Sequence, residues 1–365
     1  MPNDPVKNDE MEDVLGMVDG KPSKAKSIVL RNNGIKTRYY AFRNGKSTHS
    51  NAQLSAQVIR QLFDDRLPID KLEIITAGTT SPDQLLPSHA AMVHGELAIH
   101  PVELISATGA CCSSIQAMKY AYMAIGAGQA DTAASVGSEK LSSWMHASRF
   151  EQETENLRKL EENPFIAFEK DFLRWMLSDG AAAALLQSEP NNNNISLRVD
   201  WLEITSYANE LETCMYAGTV KHDDKSMSSW NDLPIEDWAT KSVFSLKQDT
   251  RLLGEHIVHK GGVFLKKLME KHGFTLNDID YYLPHMSSEF FKGQIQKHHK
   301  AIGLDIPDEK WFYNLPKVGN VGSASAFLML EELFHSGKLQ KGQRILVMVP
   351  ESARFSYAYM YLTVV

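Results

Sequence analysis

Residues suited to nucleophilic acyl chemistry stand at three places in the chain. Cys111 closes a small-residue turn, Thr108-Gly109-Ala110-Cys111, between an apolar run at 102–107 and a helix expected over 113–127. A thiol at the first turn of a buried helix feels the positive end of the dipole, which favours thiolate. Free N–H groups there can also hold a developing oxyanion. A pair of inert buried thiols, Cys111 and Cys112, accounts for the same residues. Of the two, Cys111 is the expected nucleophile: it directly follows the turn, and neighbours on a helix point about 100° apart. His285 follows the apolar strand in Tyr282-Leu283-Pro284-His285, at a strand end of the kind where open α/β sheets place their sites. Asn320, in Gly319-Asn320-Val321-Gly322, carries an amide that donates without titrating; a cap or left-handed turn is its plainer role. Together the three form a set for acyl-thioester chemistry. The cysteine takes an acyl group, and the other two donate to the carbonyl of a second thioester as it becomes an enolate.

The elements that position them repeat. Strands are expected at 72–76, 102–107, 132–136 and 181–186, and again at 280–283, 311–313, 345–349 and 357–364. Helices at 113–127 and 323–335 follow Cys111 and Asn320. Strands alternating with helices give an α/β fold whose sheets are covered on both faces. A duplication places the site between the copies. The asparagine run 191–194 divides the chain into an N-terminal half, 1–190, carrying the cysteine, and a C-terminal half, 191–365, carrying His285 and Asn320. A helical insertion, as surface helix or lid, is expected at about 146–175, where Glu151, Glu155 and Lys159 are spaced four apart.

Composition narrows the class. The 365 residues are 43% hydrophobic and 23% charged with a net charge of −7, which excludes a disordered or collagenous chain and makes nucleic acid an unexpected partner. Three cysteines make no disulfide framework or cysteine zinc site. The acidic start lacks the apolar core of a signal peptide and no run is long enough to span a membrane, so a cytoplasmic protein is expected. No phosphate loop, dinucleotide fingerprint or zinc helix is present, and no metal site is expected. His298-His299 is read as solvated surface of a polar helix.

Several segments resemble the ketoacyl synthase III group. Ala110-Cys111-Cys112-Ser113-Ser114 with Ala117 is similar to its nucleophile motif, and Val136-Gly137-Ser138-Glu139 to the strand end that follows. Ser178-Asp179-Gly180-Ala181 resembles its Gly-Asp-Gly-Ala segment. Pro284-His285, and Gly319-Asn320 with Ser323-Ala324-Ser325, resemble its histidine and asparagine motifs; Asn33–Arg38, Thr79-Thr80-Ser81 and Pro87-Ser88 also fit. The resemblance implies a thiolase fold of two duplicated βαβαβαββ halves in α-β-α-β-α layers and a homodimer. It also implies a Cys111–His285–Asn320 triad and ping-pong condensation of thioesters carried on coenzyme A or phosphopantetheinyl acyl carrier protein, with no tightly bound cofactor. Among subgroups the chain most resembles the ketosynthases of dialkylresorcinol-type biosynthesis.

The chain also departs from that pattern. The group's glycine-rich turn reads Glu351-Ser352-Ala353-Arg354-Phe355; backbone N–H groups of Cys111 and Ala353 are the expected oxyanion hole, and Glu351 with Arg354 is read as a surface pair. Phe290, with Lys292 nearby, replaces the basic residue expected to help dock carrier protein. Leu86 occupies the position of an acyl-pocket floor or dimer contact. The family's first strand, ahead of a Leu-Pro turn, is expected to lie before this chain's start. An acyltransferase to oxygen or nitrogen, or a non-catalytic partner subunit, are the alternatives.

Overall fold

The structure is a computed structural model that describes residues 1–23, 25–149, 173–192 and 194–365. Two four-stranded sheets form its frame. The first contains β1 (Ile74–Thr79), β2 (Glu103–Thr108), β3 (Thr132–Glu139) and β4 (Gly180–Gln187), in the order β2-β1-β3-β4, with only β4 antiparallel. The second contains β5 (Leu197–Ser206), β6 (Tyr281–Pro284), β7 (Arg344–Glu351) and β8 (Ser356–Val364), in the order β6-β7-β8-β5. There β6 and β7 are parallel, while β8 runs antiparallel to both β7 and β5.

The expected duplication is visible in these orders, because β1-β3-β4 and β6-β7-β8 are the same arrangement. Two departures from the sequence reading stand out. The strand expected at 311–313 is reduced to one parallel bridge, Tyr282 to Trp311, because it is hemmed between a 3-10 turn at Asp308–Lys310 and the helix Leu315–Val318. The ten-residue β5 was not expected; it covers the edge of β8. The charged stretch read as a helical insertion lies largely outside the described residues.

Side-chain alternation sets the layers. In β7, Ile345, Val347 and Val349 face one core while Leu346 and Met348 face another; in β8, Ala358, Met360 and Leu362 oppose Tyr357, Tyr359 and Tyr361. Outside the first sheet pack α1 (Asn51–Arg60) and α2 (His89–Leu97). Between the sheets lie α3 (Ser113–Gly126) and, following α4 (Thr250–His272) and α5 (Phe290–Ala301) in sequence, α6 (Ser325–Phe334). The helices α4 and α5 cover the outer face of the second sheet. The result is five layers, helix-sheet-helix-sheet-helix, with apolar cores on both faces of each sheet.

The central helix α3 sits very close to β1. A Cβ on Gly78 would come 2.3 Å from the backbone nitrogen of Ser114, so no larger residue fits without moving the start of the helix. Gly78→Ala should therefore destabilise the fold by about 3 kcal/mol or more, measured by denaturant unfolding. A loss below about 1 kcal/mol would contradict this packing.

Candidate active site

Each expected site residue sits at the end of an element that the sheets hold in place. Cys111 lies between β2 and α3. The N–H groups on either side of it, those of Ala110 and Cys112, both donate to Oε2 of Glu351 at 3.0 Å. Cys112 turns inward, fully buried, and its thiol donates to the Val349 carbonyl at 3.2 Å. That leaves Cys111 as the thiol facing the cavity described below. His285 directly follows β6, and its N–H donates to the Met348 carbonyl of β7 at 2.8 Å. Asn320 bridges to the segment before β4: its N–H donates to Met176 O at 3.0 Å and its carbonyl accepts from Ser178 N–H at 2.9 Å. Its Oδ1 accepts the Gly322 N–H at 3.0 Å, which leaves the Nδ2 group to donate elsewhere.

Two buried carboxylates brace these loops. Glu139, at the end of β3, accepts from the Thr80 hydroxyl and the Ser81 hydroxyl, both at 2.7 Å, and from the N–H groups of Thr80 and Ser323 at 3.1 Å. It thereby ties the loop after β1 to the turn after Asn320. Asp179 accepts the N–H groups of Ala41 at 2.7 Å, Leu141 at 2.6 Å and Ser142 at 2.9 Å. Both lie in motifs quoted above, but nothing in the sequence shows which donors they gather.

Cys111, His285 and Asn320 line one cavity of about 840 Å³, its open mouth included. Its wall is mostly apolar, with Leu141, Leu177, Leu253, Ile257, Phe291 and Ile295 among its residues. Burial lowers the His285 pKa to about 4, so the imidazole is neutral at neutral pH. The Cys111 thiol is pushed well up, by burial first and then by Glu351 and Glu139. This corrects the expectation of a dipole-favoured thiolate: the start of α3 already has a carboxylate on its N–H groups, so its positive end is offset.

Other expectations change place. Glu351 is buried and holds the cysteine loop, whereas Arg354 donates to the Leu211 carbonyl at 3.2 Å; they do not form a surface pair. His299 is 2% exposed and lines the cavity, so the histidine pair is not solvated surface. The signal for His299 was the i, i+4, i+8 spacing of Phe291, Ile295 and His299, which the polar residues between them obscured. Ala353 is half-buried, with its carbonyl taken by Cys214 and Met215 N–H at 2.9 and 3.2 Å; Pro350 and Ser352 form the cavity wall at this turn. Leu86 is 85% exposed and away from the cavity lining. Phe290 is exposed, and Lys292 lies 3.3 Å from Asp308. Among the described residues, no cluster of three or more His, Cys, Asp or Glu could hold a metal, and no helix is long and apolar enough to cross a membrane.

Comparison with known proteins adds an independent line. The family profile for the 3-oxoacyl-[acyl-carrier-protein] synthase III C-terminal domain matches residues 269–358, and that for the beta-ketoacyl synthase N-terminal domain matches residues 102–192. The beta-ketoacyl-[acyl-carrier-protein] synthase III of Clostridium acetobutylicum is 23% identical over 349 residues, covering 95% of this chain and 91% of the relative. Among solved structures, the tetronic acid condensing enzyme AbyA1 superposes with a TM-score of 0.76 at 21% identity, covering 100% of this chain and 97% of that one. Xanthomonas campestris OleA with bound lauric acid and lauroyl-CoA gives a TM-score of 0.70 at 19% identity, covering 99% and 96%. These structures share the thiolase fold of this chain.

Proposed function

As a ketoacyl synthase III-like condensing enzyme of the thiolase superfamily, this chain, we propose, joins two acyl thioesters through an acyl-Cys111 intermediate. One observation carries the reading: a cavity-facing thiol, a neutral imidazole and an amide with its Nδ2 group left to donate line one apolar cavity. In the first half-reaction the Cys111 sulfur attacks the thioester carbonyl. An S–C bond forms to Cys111, the S–C bond to the carrier thiol breaks, and the thiol proton passes to the departing sulfur. In the second, another thioester loses either CO2 from an alpha carboxylate or an alpha proton, and the carbanion this leaves attacks the acyl-Cys111 carbonyl. A C–C bond forms and the bond to Cys111 sulfur breaks. The imidazole N–H and the Asn320 amide donate to the enolate oxygen as charge builds there.

The same reading extends to finer points. The backbone N–H of Cys111 contributes to the oxyanion hole for the acyl carbonyl. Coenzyme A or phosphopantetheinyl acyl carrier protein brings the substrates, with no tightly bound cofactor. The protein acts as a cytoplasmic homodimer in which exposed Leu86 reaches the partner's acyl pocket. Dialkylresorcinol-type biosynthesis is the proposed setting. One feature favours transfer to oxygen or nitrogen instead: a carboxylate, Glu351, sits in the turn beside the nucleophile. Product mass separates the two. Incubation with paired acyl thioesters should yield a beta-keto thioester or the ketone left when that thioester is hydrolysed and the resulting beta-keto acid loses CO2; an ester or amide would overturn the condensation reading.

A further inference from the structure

The cavity that holds Cys111 also runs between α4 and α5, where it meets a second imidazole. His299, on α5, lines it together with Gly261 of α4, Ile295 of α5 and Met348 of β7. The Nδ1 of His299 has no hydrogen-bond partner among the described residues. The polar group nearest in the packing is already committed: the Tyr282 ring lies 6.3 Å from the imidazole, and its hydroxyl donates to Met348 Sδ at 3.0 Å. The adjacent His298 ring lies 6.4 Å from that of His299 and packs on His259 at 5.2 Å. A neutral imidazole carries one donor and one acceptor, and leaving either unpaired in an apolar wall is unfavourable. Nδ1 is sealed off, whereas Nε2 also lacks a partner among the described residues but is not sealed, so Nε2 is the atom that an occupant of the cavity pairs.

We propose that His299 receives a hydroxyl or keto oxygen borne along the acyl chain held on Cys111, so that the cavity selects oxygenated chains over plain hydrocarbon ones. This rests on the reading of Cys111 as acyl carrier. A hydroxyl or carbonyl oxygen suits an imidazole in either tautomer or one of them respectively, whereas an unsubstituted chain leaves the ring unpaired. Discrimination of this kind is stronger than discrimination by chain length, because the polar group rather than a methylene is left unmatched.

The test separates binding from catalysis. Free medium-chain fatty acids, unsubstituted or carrying a hydroxyl or keto group on successive carbons, are titrated by calorimetry into the full-length Cys111→Ala protein. The best-placed oxygenated acid should bind about tenfold more tightly than the unsubstituted acid. Adding His299→Leu should abolish that ratio, and His299→Gln should restore part of it. The proposal is overturned if no acid binds, if no oxygenated acid outbinds the plain one, or if the ratio survives His299→Leu. Should the ratio hold while the protein with Cys111 intact takes up no acyl group from thioesters, the ketosynthase reading fails and the oxygen-recognition site stands.

Discussion

His285→Ala should still take up an acyl group on Cys111 but form carbon–carbon bonds about a hundred- to a thousandfold more slowly. The size is that of losing one preorganised donor to a developing oxyanion in a dry site. The split follows from the geometry. On the proposed mechanism, acyl transfer to Cys111 needs the thiol and the hole around the acyl carbonyl, whereas enolate formation needs the imidazole and the Asn320 amide. The pH dependence follows from the burial that holds His285 at about 4. The imidazole stays neutral and able to donate from alkaline pH down to about pH 5, so its titration should not depress condensation there. Below that the rate should fall as pH drops through about 4. Because the folded value lies below the ordinary 6.5, the neutral ring's contribution to stability is whole above pH 6.5 and is lost as pH falls toward 4. Single-turnover assay of protein preloaded on Cys111 reads the step directly, and wild-type condensation by His285→Ala would contradict the assignment.

Glu351→Gln should make Cys111 more reactive. The carboxylate accepts the two N–H groups that flank the nucleophile and, after burial, is the largest cause of the raised thiol. A glutamine keeps an oxygen for those N–H groups and removes the charge. The thiol pKa should then fall, and the iodoacetamide alkylation rate at Cys111 near pH 8 should rise about tenfold, the equivalent of one pKa unit. Glu351→Ala lacks the acceptor as well. It should lose about 1–3 kcal/mol of stability from two unpaired buried N–H groups. Alkylation profiles against pH, read by peptide mapping, distinguish charge from scaffolding. An unchanged or slower rate in Glu351→Gln would show that the carboxylate does not control the thiol.

Much of this arrangement was legible in the residues. Cys111 and Asn320 each followed a strand-like run and a small-residue turn, His285 followed a strand directly, and strand ends are where a duplicated α/β fold gathers its chemistry. The two central helices were readable because Cys111 and Asn320 precede small, apolar segments that only a buried helix needs. What stayed hidden depended on tertiary packing. Glu351 reads as a surface acid beside Arg354 until β7 carries it under the cysteine loop, 241 and 239 residues from the N–H groups it accepts. The thiol's raised pKa could not be foreseen for the same reason, since the dipole argument omits the burial of the thiol and, after it, the charges of Glu351 and Glu139 brought beside it by the fold. The burial of His299 was masked by the polar neighbours of α5, whose apolar face rests on few residues, Phe291 and Ile295 among them. The strand β5 alternates cleanly only at its start, Leu197 and Val199 against Arg198 and Asp200; a bulge at Asp200 then breaks the period, so that Leu202 and Ile204 join Leu197 and Val199 on one face while Trp201 faces the other core.

The central claim is that Cys111 carries the acyl group. Intact-protein mass spectrometry after mixing with a panel of acyl-CoA and acyl-carrier-protein donors, followed by peptide mapping, tests it most directly. The account predicts a mass gain equal to one acyl group, hydroxylamine-labile, on the peptide containing Cys111, and no gain in Cys111→Ala. A folded wild-type protein that gains no mass from any donor, or a gain that persists in Cys111→Ala, would contradict it.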